Sequence, residues 1–401
     1  LEIKEIRTLI LNDRPNQLWL EIETDEGVTG LGETFFGAQS VAAYVHTVAA
    51  PHLIGKNPLD IEGHARALKP RHGFRSNGAE IRGNSAIDIA LWDLMGKAFD
   101  APLHTCLGGA SRNEIAVYNT CAGYNYLKPS VRLAQARSLD WGGTEQGPYD
   151  DLQAFLDTPE DLARSLIDEG YTAMKIWPFD RAAMKHGGQY IDREDLEAGI
   201  DIVRRIRKAV GDRIGIMMEC HSLWNLPTAK RIARRLEEFD LEWLEDMVRP
   251  DDIGALAELS AFTSTPICAS ELMGTRHNYR DLLEARAASV VMIDLTWCGG
   301  PTEARKIAAM ADTYSRPVTM HDCTGPVSFA CGVHLSMHAP NAMLQEMTRA
   351  HYSSWYRDVV DGLPLVENGR VMAPQSPGHG LSLSKGLRKN PGLQVQVTRQ
   401  E

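Results

Sequence analysis

The segments RIGIMMECH (213–221), LEWLED (241–246) and TPICASEL (265–272) decide the fold of this chain. Each begins as a short apolar run and carries a glutamate near its end. These are Glu219, Glu245 and Glu271, spaced 26 and 26 residues apart. Between them lie TAKRIARRLEEFD (228–240) and DIGALAELSAFTS (252–264), whose apolar residues recur at helical spacing. Strand and helix alternating at a fixed period describe parallel strands joined by crossover helices. The rhythm extends both ways. Upstream, YTAMKIW (171–177) precedes REDLEAGIDIVRRIRKAVGD (193–212). Downstream, TPICASEL precedes NYRDLLEARAA (278–288), SVVMIDL (289–295) precedes TEARKIAAMADTYS (302–315), and RPVTMHD (316–322) precedes SFACGVHLSMHAP (328–340). NAMLQEM (341–347) is the last strand, and EIAVYNTCA (114–122) suits an eighth. Eight β/α units over roughly 230 residues suit a TIM-type barrel better than an open doubly wound sheet. No G-x-G-x-x-G or P-loop follows any strand, so a nucleotide cofactor is not indicated.

The flanking regions read differently. LEIKEIRTLIL (1–11) and QLWLEIETD (17–25) alternate apolar and polar residues, and residues 1–50 are expected to be antiparallel strands. Residues 51–110 are expected to be helical, with Ala86, Ile87, Ala90, Leu91, Leu94, Met95 and Ala98 on one helical stretch before Pro102. A polar insert at 122–158 carries Tyr124, Tyr126, Trp141 and Tyr149, and either covers a site or forms an oligomer contact. After Tyr356 the tail is turn-rich and is expected to pack back on the N-terminal strands.

Composition narrows the function. The 401 residues are 43% hydrophobic and 24% charged, ordinary values for a globular enzyme. With 42 basic and 53 acidic residues the net charge is −11, which argues against a non-specific nucleic-acid binder. The seven cysteines are widely spaced with no C-x-x-C, which fits a reducing compartment rather than a disulfide framework or zinc cluster. The first residues lack a signal-peptide layout, and no apolar run is long enough for a membrane span. The reading is a soluble, cytoplasmic protein with no membrane or nucleic-acid partner.

The active site of such a barrel lies at the C-terminal ends of its strands. Here those ends carry Lys175, Glu219 with His221, Glu245, Glu271, Asp294, His321 and Glu346. From Glu219 onward the steps are 26, 26, 23, 27 and 25 residues, so these groups converge on one mouth. A single strand-end glutamate often caps the next helix. Three at matching offsets repel one another and call for a cation, and an all-oxygen set favours Mg²⁺. Asp294 beside His321 fixes the imidazole tautomer and makes a general base. His221 shares a strand face with Glu219 and is either a metal ligand or a general acid. Lys175 either contacts a substrate carboxylate or stabilises charge near it, unless it snorkels to the rim. Glu346 is either a hydrogen-bond partner for substrate or a structural rim carboxylate.

On these residues the sequence resembles the enolase superfamily, and within it the mandelate racemase and muconate lactonizing enzyme family. Ala90-Leu91-Trp92-Asp93-Leu94-Met95-Gly96-Lys97, then Pro102-Leu103 and Leu107-Gly108-Gly109, is similar to that family's N-terminal pattern. Gly30-Leu31-Gly32-Glu33 resembles the end of its first hairpin, and the strand-end ladder resembles its C-terminal one. The resemblance implies a (β/α)7β TIM-type barrel of residues 116–355 under an α+β capping domain. That domain would comprise residues 1–115, completed by the tail 356–401. It also implies one Mg²⁺ on Glu219, Glu245 and Glu271, and removal of the proton α to a carboxylate.

Many members carry Lys-x-Lys at the end of the second barrel strand, whose second lysine is a base. Here the match is Lys175-Ile176-Trp177, and a tryptophan cannot take a proton. The Glu219-Cys220-His221 stretch is similar to the Asp-x-His of the family's galactonate and mannonate dehydratases, in which that histidine helps a hydroxyl leave. The resemblance therefore implies dehydration of an acid sugar to a 2-keto-3-deoxy acid. Its substrate specificity would lie in two capping loops, here Thr34–Gln39 with Phe35 and Phe36, and Arg71–Asn77 with Arg71, Phe74 and Arg75. The expected partner is a small-molecule carboxylate, and a homo-oligomer is expected. A racemase, epimerase or cycloisomerase with His321 and His221 as opposed bases is the leading alternative. A non-catalytic member and a zinc hydrolase are further readings. The complete ladder argues against the first, and the scarcity of histidine ligands against the second.

Overall fold

The computed structural model describes residues 1–69, 78–126 and 147–400. Strands β1 (Ile3–Leu11), β2 (Arg14–Thr24) and β3 (Thr29–Phe35) form an antiparallel sheet. The C-terminal strand Leu393–Arg399 pairs antiparallel with β1 and completes it as the outer strand. The tail thus returns to the N-terminal strands, as its sequence suggested. It also touches the barrel, because Arg370 and Val371 pair with Ala116 and Ile115.

The first 50 residues are not all strand. Helical turns run through Ala38–Tyr44, Val45–Ala49 and Ala50–Leu53, which corrects the expectation of strands to residue 50. Ala38, Val41, Ala42, Val45 and Ala49 are all buried, and their spacing is a helical face. The turn at Gly37, with φ 67°, separates this helix from β3.

The long helix Ala79–Ala98 packs on β3, and Gly30 and Gly32 permit that contact. A Cβ on Gly30 would lie 2.0 Å from the Ala90 carbonyl oxygen, and one on Gly32 would lie 1.9 Å from that of Ala86. Asp93 on this helix accepts the Leu31 N–H at 2.8 Å and the His379 N–H at 3.0 Å, so it ties helix, sheet and tail together. Both glycines and this aspartate belong to the family-like stretches quoted above.

The barrel strands are β4 (Ile115–Thr120), β5 (Ala173–Ile176), β6 (Gly215–Glu219), β7 (Trp243–Glu245), β8 (Ile267–Ala269), β9 (Val290–Ile293), β10 (Val318–Met320) and β11 (Ala342–Met347). Each pairs parallel with the next, and β11 pairs with β4 to close the ring, with Glu346 opposite Tyr118. Side chains two apart on a strand share a face. Tyr118, Ala173, Met217, Trp243, Cys268 and Met292 form a separate buried cluster. Two residues further along their strands stand Lys175, Glu219, Glu245 and Asp294. A packed apolar layer thus underlies a polar one.

Of the insert 122–158, Asp151–Asp157 is helical, with the Asp150 side chain accepting from the Gln153 N–H. A second helix, Pro159–Asp168, follows. Trp141 lies outside the described residues, as do Arg71, Phe74 and Arg75. Among the described residues no helix is long and apolar enough to cross a membrane.

Glu33 fastens the capping sheet to the barrel. It is fully buried, and one oxygen accepts the Val327 and Ser328 N–H groups, each at 3.1 Å, in the first turn of helix Pro326–His338. Its other oxygen accepts Trp19 Nε1–H at 2.8 Å. A carboxylate at a helix N-terminus is favourably placed for charge as well as for hydrogen bonding. Next along β3, Thr34 Oγ1 donates to the Thr296 carbonyl at 2.9 Å, and Trp297 Nε1 donates to the Phe35 carbonyl at 3.1 Å. The loop carrying Phe35 and Phe36 is thereby pinned at the barrel mouth.

Candidate active site

Strand register brings the three glutamates together. Glu219 and Glu245 are direct partners in the β6–β7 ladder, and Glu271 follows the end of β8. Carboxylate oxygens of all three lie within 4.8 Å of one another, and all three residues are buried. The Cys220 N–H at 2.8 Å and the His221 N–H both donate to Glu219 Oε1. They reach it because His221 and Ser222 turn through left-handed backbone, with φ 46° and 59°. Trp243, from the layer below, donates Nε1–H to Glu245 Oε2 at 2.7 Å.

Lys175 is buried rather than at the rim. Its Nζ lies 2.5 Å from Glu245, 2.8 Å from Glu346 and 3.7 Å from Glu219. Burial pulls the ammonium down, but the charges of Glu245 and Glu346 more than reverse this and hold it well above its usual range. Burial pushes the Glu245 carboxyl up, but the Lys175 ammonium outweighs it, and Glu245 stays below the usual carboxylate range. Glu219 is pushed well above that range by burial, then by repulsion from Glu245 and Glu271. Glu346 is also raised, chiefly by burial.

Two histidines stand on opposite sides of this cluster. His221 follows β6 and His321 follows β10, four strands apart in a ring of eight. Each Nδ1 is bonded to a buried aspartate that follows the preceding strand. His321 Nδ1 is 2.7 Å from Asp294 Oδ2, just past β9, and His221 Nδ1 is 2.6 Å from Asp180 Oδ2, at the start of the helix that follows β5. With Nδ1 so engaged, Nε2 is the atom each ring offers to the site. Each ring also rests near a tryptophan from the same preceding strand end. Trp297 lies 5.6 Å from His321 and Trp177 lies 5.6 Å from His221, centroid to centroid.

Asp294 is firmly held, accepting from the Thr296 N–H at 2.7 Å, Thr296 Oγ1 at 2.5 Å and Thr324 Oγ1 at 3.1 Å. Burial lowers the His321 pKa, but the charge of Glu346 and the hydrogen bond to Asp294 raise it further, to about 9. His221 is likewise raised, with Asp180 overcoming burial.

The strand-end reasoning missed several residues. Asp180 opens helix Asp180–His186, five residues beyond Lys175, where no strand-end spacing marks it. Tyr126 was not among the strand-end residues but belongs to the insert expected to cover a site or form an oligomer contact, and its hydroxyl lies 3.4 Å from His221 Nε2. Asp246 is a fourth buried carboxylate, bonded to Ser270 Oγ at 2.5 Å and pushed well up by burial and by Glu271. In the Glu245-Asp246 pair the 26-residue spacing marks only the glutamate. Phe36 is stacked on Trp297 at 5.7 Å, so one predicted specificity loop adjoins the His321 side. Phe35 is nearly buried and offers Trp297 its carbonyl.

A second group, His186, Asp192 and Asp195, also brings possible ligand atoms within 4.8 Å. Lys185 Nζ lies 2.8 Å from both aspartates and already bridges them.

Known proteins match this architecture along the chain. Residues 159–387 match the model described as enolase C-terminal domain-like. Residues 14–108 match that of the mandelate racemase / muconate lactonizing enzyme N-terminal domain. The D-xylonate dehydratase of Haloferax volcanii is 30% identical over 384 residues, 95% of this chain and 87% of that protein. The D-galactonate dehydratase of Xanthomonas axonopodis pv. citri is 30% identical over 398 residues, 96% of this chain and 94% of that protein. Among solved structures, an enolase of the mandelate racemase subgroup from Agrobacterium tumefaciens is 44% identical. It superposes with a TM-score of 0.88, covering 100% of this chain and 99% of that one. The ring of strands, the carboxylate triad and these matches agree: the chain is an enzyme, a lyase, and belongs to the mandelate racemase and muconate lactonizing enzyme family of the enolase superfamily.

Proposed function

We propose that the protein is a Mg²⁺-dependent hydro-lyase that converts an acid sugar to its 2-keto-3-deoxy acid. The observation that carries this reading is the pair of aspartate-held histidines on opposite sides of one carboxylate cluster. Dehydration needs a base for the α-proton and an acid for the departing hydroxyl. The dehydratase names of the relatives support the same choice.

The residues suit a divalent metal. Glu219, Glu245 and Glu271 offer oxygen donors only, and Glu271 Oε2 is buried without a hydrogen-bond partner. A bound Mg²⁺ would polarise the substrate carboxylate, acidify its α-proton and offset the negative charge that now raises His321. In the proposed reaction His321 Nε2 takes the α-proton, with Asp294 fixing its tautomer and balancing the imidazolium. Lys175 sets a buried positive charge beside the negative charge that develops on the substrate. Protonated His221, held by Asp180, gives its proton to the 3-hydroxyl as water leaves. Trp177 excludes water from the His221 side, since its ring also packs against Tyr126 and Phe155 at 5.5 and 5.4 Å. Glu346 keeps Lys175 in place.

The opposed dyads also favour a second reading, racemisation or epimerisation with His221 and His321 as two bases. One assay separates them. Purified protein with Mg²⁺ is offered a panel of aldonic and aldaric acids in D₂O, with a chelator control. Chelator-sensitive 2-keto acid supports dehydration. Deuterium entry at Cα without keto acid supports epimerisation and overturns the hydro-lyase mechanism.

A further inference from the structure

A cavity at the edge of the mouth is lined by Arg14, Gln17, Phe35, Tyr126, His351 and Trp355, with Cys323 beside them. It adjoins both sides of the reacting centre. Tyr126 also touches His221, Cys323 lies two residues past His321, and Phe35 binds Trp297, which lies against His321. Two of its buried polar side chains have nitrogens without a hydrogen-bond partner. Gln17 is 1% exposed and its Nε2 has no hydrogen-bond partner. His351 is 2% exposed, and neither ring nitrogen makes a hydrogen bond of ordinary geometry. Burial keeps His351 neutral, with its pKa lowered to about 3.

Arg14 gives this cavity its charge. Its guanidinium lies over the Trp355 ring, 4.0 Å from the centroid. No carboxylate of the described residues forms an ion pair with it, and Asp13 and Asp358 act on it only through space. Burial pulls its pKa down, which marks a cation short of a partner. A guanidinium held flat on an aromatic ring presents its N–H fork in a fixed plane, which matches a carboxylate or phosphate in bidentate fashion. A neutral hydroxyl there would leave the half-buried charge without a counter-ion.

We infer that this cavity receives the far end of the substrate and that Arg14 pairs with a second anion there. The substrate is then an aldaric acid or an aldonic acid phosphorylated at its far end, rather than a plain aldonic acid. Gln17 and His351 supply the remaining hydrogen bonds. The inference rests on the acid-sugar reading above and specifies its substrate class.

The test measures kcat and KM of the Mg²⁺-loaded enzyme on matched aldonic, aldaric and terminally phosphorylated acids, for wild type, Arg14→Gln and Arg14→Lys. Wild type should prefer a dianionic acid about tenfold or more. Arg14→Gln should raise KM for that acid by about 10- to 100-fold with a small change in kcat, and the preference should collapse. Arg14→Lys, which keeps a charge and a long stem, should fall between. Whichever dianion is favoured, carboxylate or phosphate, identifies the anion. A wild-type preference for plain aldonic acids, or an equal loss on mono- and dianionic acids in Arg14→Gln, overturns the inference and leaves dehydration standing. If no acid in the panel is turned over, the dehydration reading fails by itself. Calorimetric binding of the aldaric acids to the Mg²⁺-loaded protein then decides the role of Arg14. Binding at least tenfold weaker in Arg14→Gln upholds it, and equal or absent binding overturns it.

Discussion

Asp180 Oδ2 lies 2.6 Å from His221 Nδ1, repeating on one side of the barrel the bond that Asp294 makes to His321 on the other. The two dyads divide the chemistry, and variants in each should fail differently. Asp180→Asn leaves the ring without its anionic partner. Keto acid formation should fall about 100-fold or more, while α-deuterium exchange stays within about tenfold. His221→Asn should do the same. Full turnover by either variant removes His221 from the role of acid.

His321→Asn should abolish both exchange and product, by about 1,000-fold or more, because no other group takes the α-proton. Exchange that survives in this variant would show a base elsewhere in the site. Proton NMR in D₂O follows both readouts in one tube.

Removing the metal should lower stability as well as activity. The three glutamates repel one another in a buried site, and a ligand at 100 times its Kd stabilises the folded state by about 2.7 kcal/mol. Melting scans with chelator and with Mg²⁺ should therefore differ. Glu271→Gln should weaken the Mg²⁺ dependence of the melt. Identical melts with and without Mg²⁺, together with chelator-resistant turnover, would exclude the metal role.

Lys175 joins three buried carboxylates, so its removal strands charge. Lys175→Met should destabilise the metal-free protein by about 3–5 kcal/mol, beyond its effect on turnover. A drop in melting temperature checks this, and an unchanged melt would mean that the network is well hydrated.

Acid should destabilise the fold through His334. This ring is fully buried against His104, with the two Nδ1 atoms 3.0 Å apart, and burial lowers its pKa from 6.5 to about 3. Between those values the unfolded chain holds a proton that the folded chain does not. Stability is therefore full above about pH 6.5 and falls as the pH drops towards 3, by about 1.4 kcal/mol per pH unit. Buried His351, lowered to about 3 as well, adds a second such contribution, so denaturation curves from pH 7 to 4 should show at least this slope, and His334→Gln should flatten it by one proton.

The barrel was legible because each strand must place a polar residue at the mouth after a packed layer, and that demand recurs once per β/α unit. The glutamate triad, Lys175, His221, Asp294, His321 and Glu346 all follow from it. Asp180 was not legible because it sits on a helix after the strand, where spacing carries no strand signal. Tyr126 enters from an insert whose path depends on tertiary contacts. The helical turns of Ala38–Leu53 were misread because the alternation of β1 and β2 was extended beyond its end, although alanines at helical spacing marked the change. The position of Lys175, buried among carboxylates, depends on three strands at once.

The pairing of β1 with Leu393–Arg399 has a consequence for synthesis. A ribosome making this protein must extend the chain from β1 as far as Leu393 before that strand finds its outer neighbour. Until then β1 leaves the growing chain with an open edge, a hazard that nascent chains meet with chaperones. A stop codon shortly before Leu393 would spare every residue of the strand-end ladder and still yield a protein prone to aggregate.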